Sequence, residues 1–133
     1  MSRPAPQDAA ALLGSYAAQY DIPMAPGAAA LQMLVDGHYR LQLRALPGAG
    51  IMVSARLKAL PDPGPARDDL LLACARLACG TMKQQATTCS VDARCRAIWL
   101  QLPAPALSIK DIDDAVGRFV NSLAFWSRAS RSL

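Results

Sequence analysis

Residues 68–80, DDLLLACARLACG, predict a helix that is apolar on nearly every side. Two aspartates open the stretch, where carboxylates suit the positive end of a helix dipole. Gly80 closes it, where a left-handed cap costs little. Between Leu70 and Cys79 only Arg76 is polar. A surface helix of a small domain normally has one apolar stripe, so this helix must be covered on more than one face.

What covers this helix decides how the chain is interpreted. A chain of 133 residues has little material with which to bury a helix completely. One interpretation is a central helix buried within its own chain. We favour the other, in which one face contacts a sheet and the opposite face contacts a second copy of the chain. The residues predicted for that dimer interface are Leu70, Leu71, Leu72, Cys74, Ala75, Ala78 and Trp99.

Alternating patterns predict five strands around the helix. Apolar and polar residues alternate through the second and third strands, and the pair Asp36-Gly37 is typical of a two-residue hairpin. The first strand is apolar on both faces. The predicted strands are 31–35, 38–45, 51–58, 84–91 and 96–102, and Pro103 and Pro105 are expected to stop the last one.

Two further helices flank the strands. Asp8 suits the N-cap of a first helix that ends before Pro23. Ser108 and Asp111 form a capping box before a last, amphipathic helix. The order α-β-β-β-α-β-β-α predicts an α+β fold, an antiparallel five-stranded sheet with three helices. We expect a single domain over residues 1–133, of which the proline-rich residues 1–7 are disordered.

Composition and charge narrow the class of protein. The apolar fraction of 53% is enough for a packed core. No apolar run reaches the ~20 residues of a membrane span, and the N-terminus lacks a signal-peptide pattern, so we expect a soluble cytoplasmic protein. The net charge of +4 weakly favours acidic partners.

The residues that usually carry catalysis form no recognisable site. P-loop, dinucleotide-binding, zinc-protease and serine-hydrolase motifs are missing, so we expect no enzyme, no metal and no cofactor. Cys74 and Cys79 lie on the predicted buried helix and Cys89 lies in a strand pattern, and these cysteines are interpreted as reduced structural thiols. Cys95, in a polar turn, is expected to be reactive. His38, the single histidine, lies in the hairpin.

Two alternative functions stay open on these residues. One is a small basic α+β nucleic-acid-binding domain that uses the strand face with Arg40, Arg44, Arg56 and Lys58, although no aromatic residues interleave with them. The other is a small enzyme that uses Cys95 or His38.

Several stretches together are similar to one protein family. They are ALLGSYAAQY at 11–20, the Asp36-Gly37 hairpin, DLLLACARLACG at 69–80, and WLQLP at 99–103 before a helix that carries FVNSLAFW. In these stretches and in element order the chain resembles the class I chaperones of type III secretion systems, the Tir-chaperone-like (CesT-like) group. Such chaperones are commonly acidic, so the basic charge of this chain implies a more acidic cargo.

The resemblance implies a function and two partners. It implies a bacterial, cytoplasmic homodimer whose interface is built around the second helix. Each dimer is expected to bind the extended N-terminal segment of a secreted effector, with no nucleotide, metal, nucleic acid or membrane insertion. The residues predicted for the effector groove are Leu13, Tyr16, Tyr20, Leu31, Met33, Leu34 and Val35. For any one of these residues, plain core packing is the alternative.

Overall fold

A computed structural model describes residues 8–25, 27–83, 87–92, 94, 96–131 and 133. This part of the chain forms three helices and five strands in the predicted order. The elements are α1 (Ala9–Gln19), β1 (Ala30–Val35), β2 (Tyr39–Leu46), β3 (Gly50–Ala59), α2 (Pro65–Thr81), β4 (Thr88–Asp92), β5 (Ala97–Pro105) and α3 (Ile109–Ser130).

The strands form one five-stranded sheet in the order β1-β2-β3-β5-β4. The pairs at both ends of this order are antiparallel, with registers that run from Ala30↔Arg44 to Val35↔Tyr39 and from Thr88↔Gln101 to Asp92↔Ala97. The predicted α+β fold with an antiparallel sheet is therefore confirmed, and β1 and β4 are its edge strands.

The hairpin between β1 and β2 turns at the predicted residues. Asp36 and Gly37 both have positive φ, 54° and 76°, and the His38 N–H donates to the Val35 carbonyl at 3.2 Å. Positive φ at both central positions gives the turn the twist that antiparallel strands need. Three residues, rather than the predicted two, separate the paired Val35 and Tyr39.

The chain divides into two compact units, each with its own buried residues. One comprises Met1–Val53 with Pro103–Gly117, and the other comprises Ser54–Leu102 with Arg118–Leu133. The largest fully buried side chains of the first unit are Leu13, Leu41, Leu43, Ile51, Ile112 and Val53. Those of the second unit are Trp126, Phe119, Ile98 and Leu100.

Side-chain caps begin α1 and α3 where the sequence predicts them. The Asp8 carboxylate accepts from the Ala11 N–H at 2.7 Å. The Ser108 hydroxyl accepts from the Asp111 N–H at 3.2 Å, and the Asp111 carboxylate accepts in return from the Leu107 N–H at 2.9 Å. Each cap satisfies helix-terminal N–H groups that have no partner within the helix.

The predicted left-handed cap at Gly80 is wrong. The helix continues through Gly80 to Thr81, whose hydroxyl donates to the Leu77 carbonyl at 2.7 Å, and Met82 follows with right-handed φ and ψ. At its other end α2 begins earlier than predicted, at Pro65, where proline costs no hydrogen bond because a first-turn N–H has no helical acceptor.

The prediction that Pro103 and Pro105 stop β5 is also wrong, since β5 extends to Pro105. The Ala106 N–H donates to the Ala49 carbonyl at 2.8 Å. Successive amides of a strand alternate in direction, so the proline nitrogens point away from this bond. The proline nitrogens face the side of β5 on which β4 lies, and the pairing of β4 with β5 has already ended there at Thr88↔Gln101. The missing N–H groups therefore cost no ladder bond in the part of the chain that the structure describes.

Candidate functional site

The inner face of α2 packs into the second unit. Leu70 and Cys74 are 7% and 5% exposed and form a cluster with Leu60 and Ile98. One helical turn separates Leu70 from Cys74, so their side chains share one face. These two residues were predicted for a dimer interface, but they lie in the core of their own chain.

The outer face of α2 carries an apolar stripe that the described residues leave uncovered, with the exposed Asp68, Asp69 and Arg76 beside it. Leu72 is 51% exposed and Met82 is 73% exposed, and Ala75 and Cys79 between them are also exposed. The spacing of these four residues, three, four and three, places them along one stripe of the helix. The structure thus separates the two apolar faces that the sequence predicted, and it puts Cys79, expected to be buried, on the outer one.

A groove lies beside this stripe. Its volume is about 360 Å³, and one side of it is lined by Leu71, Ala75, Ala78 and Cys79 of the helix and by the C-cap residue Met82. Cys89, Val91 and Ile98 line the strand side, and Val91 is half-exposed at 50%. Met82, Cys79 and Val91 were not among the predicted interface residues. The three-four-three spacing could have pointed to Cys79 and Met82.

Trp99 does not join this groove. It alternates with Ile98 along β5, so its side chain lies on the opposite face of the sheet. Trp99 is half-buried, and its indole N–H is buried without a hydrogen-bond partner among the residues that the structure describes.

Burial sets the chemistry of the two inner thiols. Burial raises the pKa of Cys74 above its usual value, and the charge of nearby Lys58 acts in the opposite direction. Burial, and then the neighbouring Cys74, raises the pKa of Cys89 to about 12. Both side chains therefore stay protonated and poorly nucleophilic at neutral pH. Cys95, predicted to be reactive, lies outside the described residues.

In the first unit, the predicted effector groove separates into buried and accessible residues. Leu13, Tyr16 and Leu31 lie in the core, where they cannot line an accessible groove. Tyr20 and Leu34 are 46% and 57% exposed, and Met33 and Val35 are half-buried. Leu13 and Tyr16 belong to the apolar stripe with which α1 contacts the sheet, so helical periodicity explains their burial.

Within the described ranges, no strand pairs with the outer side of the β1 backbone. The Ala45 N–H donates to the Ala29 carbonyl at 2.8 Å, so the backbone groups of residue 29 face β2. Since the direction alternates along a strand, the amides of Ala30, Gln32 and Leu34 face away from β2, towards the free edge. A row of backbone N–H and C=O groups without strand partners can form hydrogen bonds with a further strand.

A second groove, which the sequence analysis missed, lies along α1. Its volume is about 600 Å³, and small residues of α1 form one wall: Ala10, Ala11, Gly14, Ala17 and Ala18. Ile22, Met24, Ala25 and Ala28 line the other wall, just before β1 begins. In the sequence, this groove could have been predicted from small residues at every fourth position of α1: Ala10, Gly14 and Ala18.

The described polar residues outside these grooves include one histidine and one surface ion pair. His38 is exposed, with its Nδ1 3.3 Å from the Asp36 carbonyl oxygen. Arg96 pairs with Asp62 at 2.9 Å on the surface. Across the described ranges, no three His, Cys, Asp or Glu side chains gather where they could hold a metal ion. None of the helices in those ranges has the length and apolarity needed to cross a membrane.

Comparison by sequence finds no protein-family model and no curated protein that matches the chain. Solved structures do match. A chain of the HopA1–SchA chaperone–effector complex superposes with a TM-score of 0.61 at 13% identity, covering 88% of this chain and 91% of that chain. A chain of the ExoU–SpcU complex from the type III secretion system of Pseudomonas aeruginosa gives 0.62 at 15% identity, covering 87% and 92%.

One further match comes from a protein with a different description. YbjN from E. coli, a candidate transcription regulator, superposes with a TM-score of 0.64 at 12% identity, covering 90% of this chain and 89% of that chain. Identities this low carry information about the fold alone. The chain has the fold of the class I type III secretion chaperones that its sequence resembles.

Proposed function

We propose that the chain is a homodimeric secretion chaperone of the bacterial cytoplasm. In this proposal it binds an extended N-terminal segment of a secreted effector, keeps that effector competent for secretion, and carries out no catalysis. The observation on which the proposal depends is the exposed apolar stripe of Leu72, Ala75, Cys79 and Met82 on the outer face of α2, which the described residues leave uncovered. The similarity to chains of the HopA1–SchA and ExoU–SpcU complexes supports the same function.

The outer stripe of α2 suits pairing with the same stripe of a second copy. In an antiparallel pair centred near Leu77, the large Leu72 lies opposite the partner's Met82. The small Ala75 then lies opposite the partner's Cys79, so the two helices can approach closely. Asp68 and Asp69 near one end and Lys83 at the other bring unlike charges together, whereas the exposed Arg76 side chains of the two copies lie near each other at the centre of the pair. Burying Leu72 and Met82 in both copies contributes about 1–2 kcal/mol for each side chain.

The open edge of β1 suits the effector segment. An extended chain can add to the amides of Ala30, Gln32 and Leu34, while its side chains contact the exposed Leu34 and the half-buried Met33 and Val35. Ordering a segment that is unfolded when free costs about 2–5 kcal/mol. The apolar groove along α1 offers the additional burial that offsets this cost.

The dimer is tested by a matched pair of substitutions. Leu72→Asp places a charge in the proposed interface and should give a folded monomer at micromolar concentration by light scattering. Leu107→Asp, at a leucine that is 70% exposed and outside α2, should leave the dimer intact. Leu71→Asp should dissociate or unfold the dimer, because Leu71 also packs against the core of the second unit. A wild-type protein that is monomeric would contradict the proposal, as would a dimeric Leu72→Asp variant.

The chaperone function is tested by the fate of its cargo. Purification from the native cytoplasm, followed by proteolysis and mass spectrometry, should recover a protected N-terminal segment of one secreted protein. Deleting the gene should abolish secretion of that protein, and the wild-type gene should restore it. Unchanged secretion in the deletion strain would rule the function out.

A second candidate function is nucleic-acid binding. Exposed Arg40 and Arg44 and the similarity to YbjN favour it. Against it, the residues beside them on this sheet face are Ala30, Gln32, Leu34 and Gln42, with no aromatic base-stacking platform. Salt-dependent binding of the purified protein to random DNA or RNA would support this alternative.

A further inference from the structure

The outer face of the β1–β2 hairpin carries two arginines without acidic partners. Cross-strand pairing places Ala30 opposite Arg44 and Leu34 opposite Arg40. Both guanidinium side chains are exposed, and neither forms an ion pair with any residue that the structure describes. Because β1 is an edge strand, this basic face borders the open edge.

The side chains on β1 decide how far each arginine can extend. A strand added to β1 would lie two strand spacings, about 10 Å, from β2. Arg44 has only the methyl group of Ala30 between it and that position. Arg40 faces the larger side chain of Leu34, which is itself exposed. The two ends of the edge therefore differ. At the Ala30 end the guanidinium of Arg44 can reach a charged group on an added strand, and at the other end Leu34 presents an apolar surface.

We propose that the β1 edge selects a peptide segment with an acidic side chain beside Ala30 and an apolar side chain beside Leu34. The two positions are four residues apart on one face of the added strand. Arg44 recognises the carboxylate through charged hydrogen bonds, which a planar guanidinium can form in pairs. This selection rests on the proposed function, because it needs a segment bound at the edge.

Labelled peptides provide the test. The probe is a fluorescein-labelled peptide of about twelve residues that alternates valine and threonine, long enough to span the edge. Aspartate and leucine replace two threonines four positions apart, and both orders are made because either strand direction is compatible with the edge. Matched peptides carry asparagine or lysine in place of aspartate.

The expected result is a charge preference that depends on salt. In one of the two orders, the aspartate peptide should bind about two- to fivefold more tightly than the asparagine peptide at low salt. The lysine peptide should bind most weakly. At about 1 M salt, where the Debye length is about 3 Å, the preference should vanish while the affinity for the asparagine peptide is retained.

Substitutions connect the preference to Arg44. Arg44→Gln should abolish the aspartate preference without changing the affinity for the asparagine peptide, and Arg44→Lys should keep part of it. Arg94→Gln, at an exposed arginine after β4, is the matched control and should behave as wild type.

Three outcomes would overturn the proposal. Equal binding of the aspartate and asparagine peptides would remove the acidic selection while leaving strand addition, and thus the proposed function, intact. Binding of none of the peptides would contradict strand addition itself. Arg44-dependent binding of a random oligonucleotide more tightly than any peptide would assign the face to nucleic acid.

Discussion

At the scale of single residues, Tyr16 shows how burial changes an ionisation. Its ring is 2% exposed, and its hydroxyl donates to the Asp113 carboxylate at 3.5 Å. Burial, then the charge of Asp113, and then Tyr20 raise the pKa of Tyr16 from 10.0 to about 12. The folded state therefore resists forming the tyrosinate that the unfolded state forms above pH 10.

This shift predicts a loss of stability at alkaline pH. The contribution of the Tyr16 ionisation to the free energy of unfolding is constant below pH 10. Between pH 10 and about 12 that contribution declines by up to about 1.4 kcal/mol per pH unit. Tyr16→Phe should change the free energy of unfolding by no more than about 1 kcal/mol at pH 7, because the hydrogen bond is long. Above pH 10 the variant should lose less stability than wild type.

Urea unfolding at pH 7 and at several values above pH 10 measures the difference. Tyr39→Phe is the control, since the Tyr39 ring contacts His38 and is not among the groups that raise the pKa of Tyr16, and it should retain the wild-type pH dependence. Parallel pH curves for wild type and Tyr16→Phe would contradict the burial argument.

At the scale of elements, two glycines test how the turn and the second helix form. Gly37 has φ of 76° in the β1–β2 turn, whereas Gly80 is helical with open space where a Cβ would lie. Gly37→Ala should destabilise the protein by about 1 kcal/mol, because a left-handed conformation costs an L side chain that much. Gly80→Ala should stabilise it by about 0.5–1 kcal/mol, because alanine loses less entropy in a helix.

The opposite signs make this pair informative. Urea unfolding midpoints are measured for wild type and both variants. If the dependence of the unfolding free energy on urea concentration is unchanged, the midpoints give the change in unfolding free energy caused by each substitution. If Gly80→Ala were destabilising, Gly80 would be a left-handed cap after all, and α2 would end before Thr81.

At the scale of the whole molecule, the exposed thiol of Cys79 reports whether a second copy covers α2. In a dimer that pairs through the outer stripe, Cys79 is covered, and alkylation should slow as protein concentration rises through the dimer dissociation constant. In Leu72→Asp, Cys79 should be alkylated rapidly at every concentration. Cys89, whose pKa is about 12, should react slowly at pH 8 in both proteins.

Mass spectrometry of the peptides after alkylation measures each thiol separately. A Cys95→Ser background removes the one cysteine outside the described residues. If Cys79 reacted at the same rate in wild type and Leu72→Asp at all concentrations, the dimer would have to use another surface.

The elements were predictable because their patterns are local. The alternation through β2, the capping aspartate Asp8 and the stripe of α3 are each contained in a few neighbouring residues. The error at the end of β5 occurred where a distant partner decides the outcome. Pro103 and Pro105 remain in β5 because β4 ends before them, and no pattern within residues 96–105 contains that information.

The sequence by itself determined the order of elements, the hairpin turn and the excess of apolar residues on α2, since periodicity and turn chemistry depend on neighbouring residues. Only the tertiary structure decided which apolar residues of α2 are buried and which stay exposed to solvent. It buries Leu70 and Cys74 and exposes Leu72, Cys79 and Met82. It likewise buries Leu13, Tyr16 and Leu31 and leaves Leu34 beside Arg40 at a free edge. The physical reason is that packing contacts join residues far apart in the chain, so the sequence shows that a side chain is apolar but not what covers it.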